Sequence, residues 1–370
     1  MNPQEADLRE VKNTNPFISY SESEKCEYLT SVCSINRVVI AKVPLLGIDD
    51  DICTKQANEI FSTQLIIDEL KKTAAIYGVN LDGYSESELP KFLDYGLTSG
   101  NIKEKQVSLR IVKKFGNRLG LILLTLKTGL RENRLARDDW NDKHWEYWSK
   151  VSNIILVGGL ASGVLGRYFK EQIQFVFDMA GVKPYNIILF DNGTYIGTMG
   201  CSMLVKNKNS RNIVFDFGQT NIKRSVVTLK NGEVEDLNVL SSLPSKFMDL
   251  ENDYEKAAKL HKYLLSVIYN TFKECEKTAP LNNEIVISIA SYTIGGVLND
   301  KRGGYAKLSL LCRNYAELLS DELSGSLHRE VTVRLVHDGT ANALYFKDYE
   351  NCVCVSVGTA FGVGFPEIEL

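Results

Sequence analysis

The sequence lacks the features that mark several protein classes. No stretch approaches the roughly 20 apolar residues of a membrane-spanning helix, so no membrane segment is predicted. Residues 1–20 are polar, without a basic start and an apolar core, which argues against a secretory signal. Neither sign of charge dominates, since 43 basic residues face 46 acidic ones and the formal net charge is −3. A chain with this charge balance lacks the excess of basic residues that is typical of nucleic-acid-binding proteins.

Paired cysteines are absent as well. The eight cysteines are scattered, and neither a CxxC pair nor a Cys/His cluster has zinc spacing. Scattered cysteines of this kind are typical of small buried side chains in a reducing compartment. We therefore expect a cytoplasmic protein. Its 370 residues, 44% of them hydrophobic, leave room for two domains or a two-lobed one.

One stretch combines an apolar strand with a polar turn. Residues 213–220 read Ile-Val-Phe-Asp-Phe-Gly-Gln-Thr, and a second apolar strand follows. An acidic residue at a strand end, a glycine that lets backbone amides approach and a threonine hydroxyl suit a metal-bound polyphosphate. We interpret the stretch as a phosphate loop with Asp216 as its metal carboxylate. Lys223, on the second strand, is equally compatible with a phosphate contact and with a solvated side chain.

A second candidate site lies near the carboxyl end of the chain. A predicted strand ends at Val336, and His337 and Asp338 lie in the turn that follows it. A carboxylate there can accept the proton of a hydroxyl group that attacks a γ-phosphoryl group. Alternatively, Asp338 only caps the helix predicted to begin near Thr340, since aspartate is a preferred capping residue. Because phosphate-type loops flank it in the sequence, we favour the role of catalytic base.

These stretches together resemble the ATPase superfamily of hexokinase, actin and Hsp70, particularly hexokinases and the bacterial ROK sugar kinases. Residues 216–223, Asp-Phe-Gly-Gln-Thr-Asn-Ile-Lys, are similar to the phosphate 1 motif D-x-G-G-T-N/K, with Gln219 in place of the second glycine. Residues 358–364, Gly-Thr-x-x-Gly-x-Gly, resemble the phosphate 2 motif. Residues 153–200, with a Gly-Gly turn between a strand and a helix, look like the adenosine-binding segment.

The order of these motifs differs from that of the family. The adenosine segment closes the chain in the family, yet here it precedes phosphate 1 and is joined to it by the polar stretch 205–212. We therefore predict a circular permutant, since the termini of a domain often lie close together at its surface. The strand at 352–357 should then pair with a strand near residues 38–43. The implied fold is α/β, a two-lobed and permuted actin-like ATPase (ribonuclease H-like) fold.

The resemblance also implies an activity, namely ATP- and Mg²⁺-dependent phosphoryl transfer to a hydroxyl group of a small molecule, a sugar in the first place. It implies Asp338 as the catalytic base, where His337 replaces the family's asparagine, and Asp216 as the metal ligand. The implied nucleotide residues are Gly218, Gln219, Thr220, Lys223, Gly358, Thr359, Gly158, Gly159 and Ser162, and the implied acceptor residues are Asn342, His337, Gly304 and Tyr305. The Glu-x-Gly-His segment that contributes to hexose binding in ROK kinases is missing. A non-catalytic sensor and an ATPase driven by a protein partner therefore remain alternatives.

The expected organisation follows from the same interpretation. Residues 1–35 should form a tail or arm, residues 36–204 with 350–370 the adenosine-side lobe, and residues 205–349 the lobe of phosphate 1 and the acceptor. The only partner we expect is a small-molecule substrate, with no nucleic acid and no membrane, and a homodimer is left open.

Three helical segments are predicted from local patterns. Apolar spacing predicts one amphipathic helix over residues 55–77 and a long helix over 102–126 that Gly129 ends. The segment 131–150 carries all three tryptophans, and we expect them to pack against the fold rather than to stack on bases.

Overall fold

The computed structural model describes residues 15–45, 50–78, 83–84, 88–190, 193–299 and 303–370. The chain divides into two compact units. Unit one comprises Val32–Thr194 and Asn351–Val363, with the chain before Ile18. Unit two comprises Ile18–Ser31, Tyr195–Glu350 and Gly364–Leu370.

Strands and helices alternate along much of the chain. The strands are β1 Ile18–Ser21, β2 Cys26–Leu29, β3 Asn153–Val157, β4 Asn186–Leu189, β5 Ser210–Phe217, β6 Asn221–Lys230, β7 Glu233–Pro244, β8 Glu284–Ile289, β9 Thr293–Ile294, β10 Val297–Leu298, β11 Thr332–His337, β12 Cys352–Val357 and β13 Phe361–Gly364. The helices are α1 Ala57–Ile60, α2 Thr63–Lys72, α3 Lys91–Thr98, α4 Ile102–Thr128, α5 Arg131–Leu135, α6 Asp142–Lys150, α7 Gly163–Ala180, α8 Ile196–Met203, α9 Tyr254–Glu276, α10 Tyr315–Leu327 and α11 Asp338–Leu344. None of these described helices is both long and apolar enough to cross a bilayer.

The sheet of unit one has the strand order β13-β12-β3-β4. β12, β3 and β4 are parallel to one another. The central strands β3 and β12 consist almost wholly of buried apolar residues. Parallel strands covered on both faces show continuous apolar runs of this kind, because neither face meets water.

Local signals determine the long helix of this unit. The Asn101 side chain accepts a hydrogen bond from Lys103 N at the start of α4, and Gly129 ends the helix in the left-handed conformation, with φ +48°. The prediction for this helix is confirmed. Trp140, Trp145 and Trp148 are at most 5% exposed, so they pack in the core and offer no stacking surface.

Two sequence predictions for unit one are wrong. The neighbours of β12 are β13 and β3, and residues near Val39 form only an isolated bridge with Gln56 instead of a strand. The Asn133 side chain binds the backbone of Ala41 and Lys42, and the Asn36 side chain binds Phe361 N and O in β13. Side-chain amides thus satisfy backbone groups that a strand would have paired.

The single helix predicted over residues 55–77 is also interrupted. Phe61 ends α1 in an extended conformation, with φ −142°, and Ser62 begins α2 by accepting a hydrogen bond from Leu65 N. A serine hydroxyl group that accepts a backbone N–H in this way interrupts one helix and starts the next.

Unit two contains a five-stranded sheet in the order β11-β8-β5-β6-β7. β11, β8 and β5 are parallel, whereas β5, β6 and β7 form an antiparallel meander. Along β5, Phe215 and Phe217 are buried with α9 and α10, and Val214 is buried with α8 and α11. Asp216 follows Val214 by two residues, and side chains alternate along a strand. Asp216 therefore lies on the side of α8 and α11.

The chain before residue 35 contributes structure to unit two. Within the segment predicted to be a tail or arm, residues 18–29 form the hairpin of β1 and β2, while residues 1–14 lie outside the described part of the chain. Glu27 in β2 donates its backbone N–H to Glu369 O over 3.2 Å and accepts a hydrogen bond from Glu369 N through Oε2. The hairpin thus holds the carboxyl-terminal segment of the chain.

Candidate functional site

Three strands of unit two align polar side chains in one row. Asp216 on β5 is opposite Lys223 on β6 and Ser288 on β8. Residues opposite each other share a face of the sheet, so these side chains meet. Lys223 Nζ lies 2.9 Å from Asp216 Oδ2, and Ser288 Oγ donates to Asp216 Oδ1 over 3.2 Å. The Asp216 side chain is 16% exposed, which leaves it partly accessible to a ligand.

Lys223 is not a solvated strand lysine. Burial lowers the pKa of Lys223, but the charge of Asp216 and the hydrogen bond to it raise the pKa further, and the net result lies above the ordinary value. The side chain therefore stays an ammonium ion at neutral pH. It places one fixed positive charge beside the carboxylate at the end of β5.

The loop after β5 is a tight turn held by its neighbours. Gly218 N donates to Asn221 O over 3.1 Å, which uses the Gly218 amide within the turn. The Gly218 carbonyl accepts hydrogen bonds from Tyr305 Oη at 2.9 Å and from Ser245 Oγ at 2.7 Å. Gln219 Nε2 donates to Ala290 O over 3.0 Å, at the end of β8. Gln219 thus anchors the loop to the sheet.

Asp338 is the first residue of α11, and its neighbour supplies the helix cap. Thr340 N donates to His337 Nδ1 over 3.3 Å, so His337 caps the helix. Asp338 Oδ1 accepts a hydrogen bond from Gly339 N over 2.6 Å. The helix cap is therefore His337, and the alternative in which Asp338 is only the cap does not apply.

The protonation of Asp338 is governed by residues distant in sequence. Burial and the charge of Asp216 raise the pKa of Asp338 to about 7, although the Gly339 N–H and the Lys223 ammonium act to lower it. The side chain keeps 31% of its exposure. An accessible carboxyl group with a pKa near neutrality is suited to accept a proton at physiological pH.

His337 is buried, with 6% exposure. Burial lowers its pKa to about 3, so the ring is neutral. It stacks on Tyr292 with 4.4 Å between ring centroids and 14° between planes, and its Nε2 lies 3.2 Å from Asp338 Oδ1. The structure thus turns His337 toward Asp338, and its proposed contact with a substrate stays a prediction.

Glycines allow α8 and α11 to approach closely. A Cβ on Gly200 of α8 would lie 1.7 Å from Ala341 O, and one on Gly197 would lie 3.1 Å from Asn342 Oδ1. Likewise, a Cβ on Gly364 of β13 would lie 1.8 Å from Gly339 O. The helix that carries Asp338 is therefore held by close backbone contacts with α8 and with the end of β13. Asn342, a predicted acceptor residue, lies against α8.

Of the other two predicted acceptor residues, Tyr305 supports the loop and Gly304 packs against Met248. Tyr305 is 1% exposed, and burial raises the pKa of its hydroxyl group, which donates to the Gly218 carbonyl. A Cβ on Gly304 would lie 2.6 Å from Met248 Cε, so this glycine is in tight contact with Met248.

Three residues at the site escaped the sequence analysis. Ser288 had a detectable signal, since it is the polar residue inside the apolar strand β8. Tyr292 and Ser245 carry no such signal, because their roles depend on contacts with His337 and the Gly218 carbonyl.

The remaining residues that were predicted to bind the nucleotide belong to unit one. Gly158, at the end of β3, has φ +98°, and a Cβ there would lie 2.6 Å from Val357 O at the end of β12. The Gly-Gly turn and the predicted phosphate 2 turn at Gly358-Thr359 are therefore neighbours. A Cβ on Gly159 or on Gly358 would meet no atom within 4 Å. Ser162 Oγ donates to Gly159 O over 3.0 Å.

The start of α7 already holds a carboxylate. Asp94 of α3 accepts a hydrogen bond from Leu165 N over 2.8 Å, in the first turn of the helix. Burial raises the pKa of Asp94, and the backbone N–H groups of Leu165 and Val164 act against this rise. A second anion such as a phosphate group would be repelled from this helix end.

No protein-family model matches the sequence, and neither does any curated protein. Among solved structures, the chain is similar to the ethanolamine utilization protein EutJ from Carboxydothermus hydrogenoformans, with 13% identity, coverage of 61% of this chain and 67% of that one, and a TM-score of 0.26. It is also similar to a Bacteroides thetaiotaomicron protein with an actin-like ATPase fold and unknown function, with 15% identity, coverage of 48% and 49%, and a TM-score of 0.21. Because both TM-scores are low, the function is inferred from the residues of the site.

Proposed function

We propose that the chain is a circularly permuted member of the hexokinase, actin and Hsp70 ATPase superfamily, and that it transfers the γ-phosphoryl group of ATP to a hydroxyl group of a small molecule, a sugar in the first place. The observation that carries the proposal is the placement of Asp338. Burial, together with the charge of Asp216, raises its pKa to about 7. Asp338 also opens the helix on the same side of the sheet as the row of Asp216, Lys223 and Ser288.

The strand orders support the proposed fold. In unit two, an antiparallel meander is followed by two strands parallel to its first strand, which is the arrangement of a ribonuclease H-like lobe. In unit one, β12 and β13 come last in the chain, yet β12 lies beside β3 and is parallel to it. A permuted connection would produce this arrangement, since the strands that begin such a lobe would then follow those that end it.

In the proposed reaction, Asp338 accepts the proton of the acceptor hydroxyl group as that oxygen attacks the γ-phosphorus. A base with a pKa near the working pH is ionised often enough to act and basic enough to take the proton. In phosphoryl transfer, the protein mainly positions the reactants and stabilises the charge of the transferred group. Lys223 supplies a fixed positive charge beside Asp216, and Gln219 holds the loop in place.

A magnesium ion fits the residues present. Asp216 would hold it, largely through water, because Mg²⁺ takes few protein carboxylates and keeps much of its hydration shell. The charge of Asp216 raises the pKa of Asp338, which shows that the two carboxyl groups repel each other. A cation at Asp216 would neutralise charge on the phosphates and relieve this repulsion. In unit two, the amides of Gln219 and Thr220 are the proposed phosphate contacts. For unit one, Gly358 and Thr359 are the predicted phosphate residues, and Gly158, Gly159 and Ser162 are the predicted adenosine residues.

The deciding experiment is ATP consumption with Mg²⁺ across a panel of sugars and polyols, with wild type, Asp338→Asn and the control Asp348→Asn. Asp348 is an exposed residue of the same unit. We expect acceptor-dependent ADP release that falls at least about 100-fold in Asp338→Asn, because the general base is lost. The control should match wild type. If ATP binds and no acceptor stimulates turnover, the kinase is excluded and the chain acts as a sensor or a partner-driven ATPase.

A further inference from the structure

We propose that the hydroxyl groups of Tyr305 and Ser245 together orient the Gly218–Gln219 peptide, so that the Gln219 N–H is a fixed hydrogen-bond donor for a phosphate group of the nucleotide. Both are positioning residues, since they act through the Gly218 carbonyl and not on the ligand. The proposal deepens the proposed function and rests on it for the identity of the ligand. The orientation of the peptide is a property of the fold and can be measured without any ligand.

Two hydroxyl groups hold the Gly218 carbonyl. Tyr305 Oη donates to it over 2.9 Å and Ser245 Oγ over 2.7 Å. Burial raises the pKa of Tyr305, and the adjacent Ser245 hydroxyl group lowers it only in part, so Tyr305 keeps its proton and stays a donor at neutral pH. The ring of Tyr305 is also fixed, because it stacks on Phe217 with 6.3 Å between centroids and 19° between planes.

The position of Tyr305 shows which way this carbonyl points. Tyr305 is buried in the same core cluster as Phe217, on the side of α9 and α10. The Gly218–Gln219 peptide bond is trans, and the C=O and N–H groups of a planar trans peptide point in opposite directions. The Gln219 N–H therefore points to the other side of the sheet, where Asp216 lies beside Lys223.

This amide is available to a ligand. Within the described part of the chain, Gln219 N donates to no protein acceptor, and the residue is only half-buried. Hydrogen bonds that the carbonyl accepts polarise the peptide and make its N–H a stronger donor. Together with the Lys223 ammonium on the same side of the sheet, the N–H suits a negatively charged oxygen such as that of a phosphate group.

A buried lysine joins the two segments that carry the hydroxyl groups. Lys307 is 0% exposed, and its Nζ donates to Phe247 O over 3.0 Å and to Asp249 O over 2.7 Å. It thereby connects the segment after Ser245 to the segment that carries Tyr305. Because the two segments are held together, the loss of one hydroxyl group should leave the other in place.

The peptide can be observed by itself, because the sequence contains a single Gly-Gln pair. Protein labelled with ¹³C at the glycine carbonyl and with ¹⁵N at glutamine therefore gives one peptide cross-peak in NMR, from Gly218 and Gln219. We expect the carbonyl signal to move upfield in Tyr305→Phe/Ser245→Ala, because it loses both donors, and part of the way in each single variant. In wild type, the Gln219 proton signal should move downfield when Mg·ATP binds. An unchanged carbonyl signal in the folded variants would overturn the proposal.

In binding, either hydroxyl group should suffice. Tyr305→Phe and Ser245→Ala should each weaken Mg·ATP binding about twofold or less, because one donor still holds the carbonyl. The double variant should weaken it at least about tenfold, because a charge-assisted hydrogen bond to phosphate is lost. Tyr305→Phe/Ser245→Thr keeps one hydroxyl group and should bind like Tyr305→Phe.

Tyr263→Phe is the matched control. Tyr263 Oη donates to Pro244 O over 2.6 Å, so it contacts the chain next to Ser245 and not the Gly218 carbonyl. The control should match wild type in Mg·ATP affinity, measured by isothermal titration, and in the peptide cross-peak.

The outcomes separate this proposal from the proposed function. If the double variant binds Mg·ATP as tightly as wild type, or if the Gln219 signal does not respond to bound Mg·ATP, the proposal fails even when the protein is a kinase. If Tyr305→Phe raises only the KM of the acceptor, Tyr305 contacts the substrate and its positioning role is wrong. If the Gln219 signal responds as expected and no acceptor is phosphorylated, the proposal stands and the kinase is excluded. Wild type that binds no Mg·ATP would overturn both.

Discussion

Asp338 shows how strongly distant neighbours act on a single side chain. As the first residue of α11, it lies where the helix dipole favours a negative charge and lowers a carboxyl pKa. Burial and Asp216 nevertheless raise its pKa to about 7. In the unfolded chain, an aspartate has a pKa of about 3.9.

This difference predicts a pH-dependent cost in stability. Between pH 4 and 7 the folded chain keeps a proton that the unfolded chain releases, so the contribution of Asp338 to stability is present below pH 4 and is lost as the pH rises through 7. In Asp338→Asn the side chain does not titrate, so this loss of stability with rising pH is absent. Urea unfolding should show the variant gaining about 3 kcal/mol relative to wild type between pH 4.5 and 8. Asp348→Asn should show no such gain, and parallel curves for wild type and Asp338→Asn would contradict the raised pKa.

Lys223 has the opposite effect to Asp216 on the pKa of Asp338. Its charge lowers the pKa of Asp338, so Lys223→Met should raise that pKa. The rise of kcat with pH should then shift to higher pH, because the base is protonated over a wider range. Lys230→Met, on the same strand but exposed and paired with Glu235, should leave the profile unchanged. A pH–rate profile of the three proteins decides the matter, and a shift to lower pH would refute the expectation.

At the scale of elements, the contact of α8 with α11 positions the candidate base. Gly200 and Gly325 are both helical glycines, but only Gly200 meets a carbonyl oxygen where a Cβ would stand, at 1.7 Å, while Gly325 meets nothing within 4 Å. A methyl group therefore has room at position 325 but not at position 200.

Substitution of each glycine by alanine should have opposite effects. Gly200→Ala should destabilise the protein by roughly 3 kcal/mol, because the helices must separate. Gly325→Ala should stabilise it by about 0.5–1 kcal/mol, because alanine is the better helix former. Urea titration measures both. An equal effect of the two substitutions would show that α8 and α11 do not pack at Gly200.

On the scale of the whole molecule, the predicted nucleotide residues are distributed over both units. Gly158 and Gly159 are adjacent in unit one but differ physically. A Cβ on Gly158 would collide with Val357 O, whereas one on Gly159 would stand in open space. A larger residue at position 159 should therefore obstruct a ligand bound there without disturbing the fold.

We expect Gly159→Val to keep its unfolding temperature and to bind Mg·ATP at least about tenfold more weakly, a loss of about 1.4 kcal/mol. Gly100→Val is the control, because Gly100 is another open glycine of unit one, at a distance in sequence from the predicted turns. Isothermal titration measures the affinity, and thermal unfolding checks the fold. Unchanged affinity in Gly159→Val would remove this turn from the nucleotide site.

The sequence by itself determined the features that depend on near neighbours. The cap at Asn101 and the left-handed glycine at Gly129 bound α4, and continuous apolar runs mark β3 and β12. Asp216 and Asp338 were identified because each follows an apolar strand at a turn. Caps, turns and periodicity act over a few residues, so they are visible without a fold.

Only the tertiary structure decided what those residues contact. It aligned Asp216 with Lys223 and Ser288, turned His337 toward Asp338, and replaced an expected strand with the side-chain amides of Asn36 and Asn133. It also placed the β1–β2 hairpin against the carboxyl-terminal segment. Each of these contacts joins backbone or side-chain groups whose pairing depends on strand register and burial. Register and burial are set by the packing of the whole unit, which local sequence patterns do not specify.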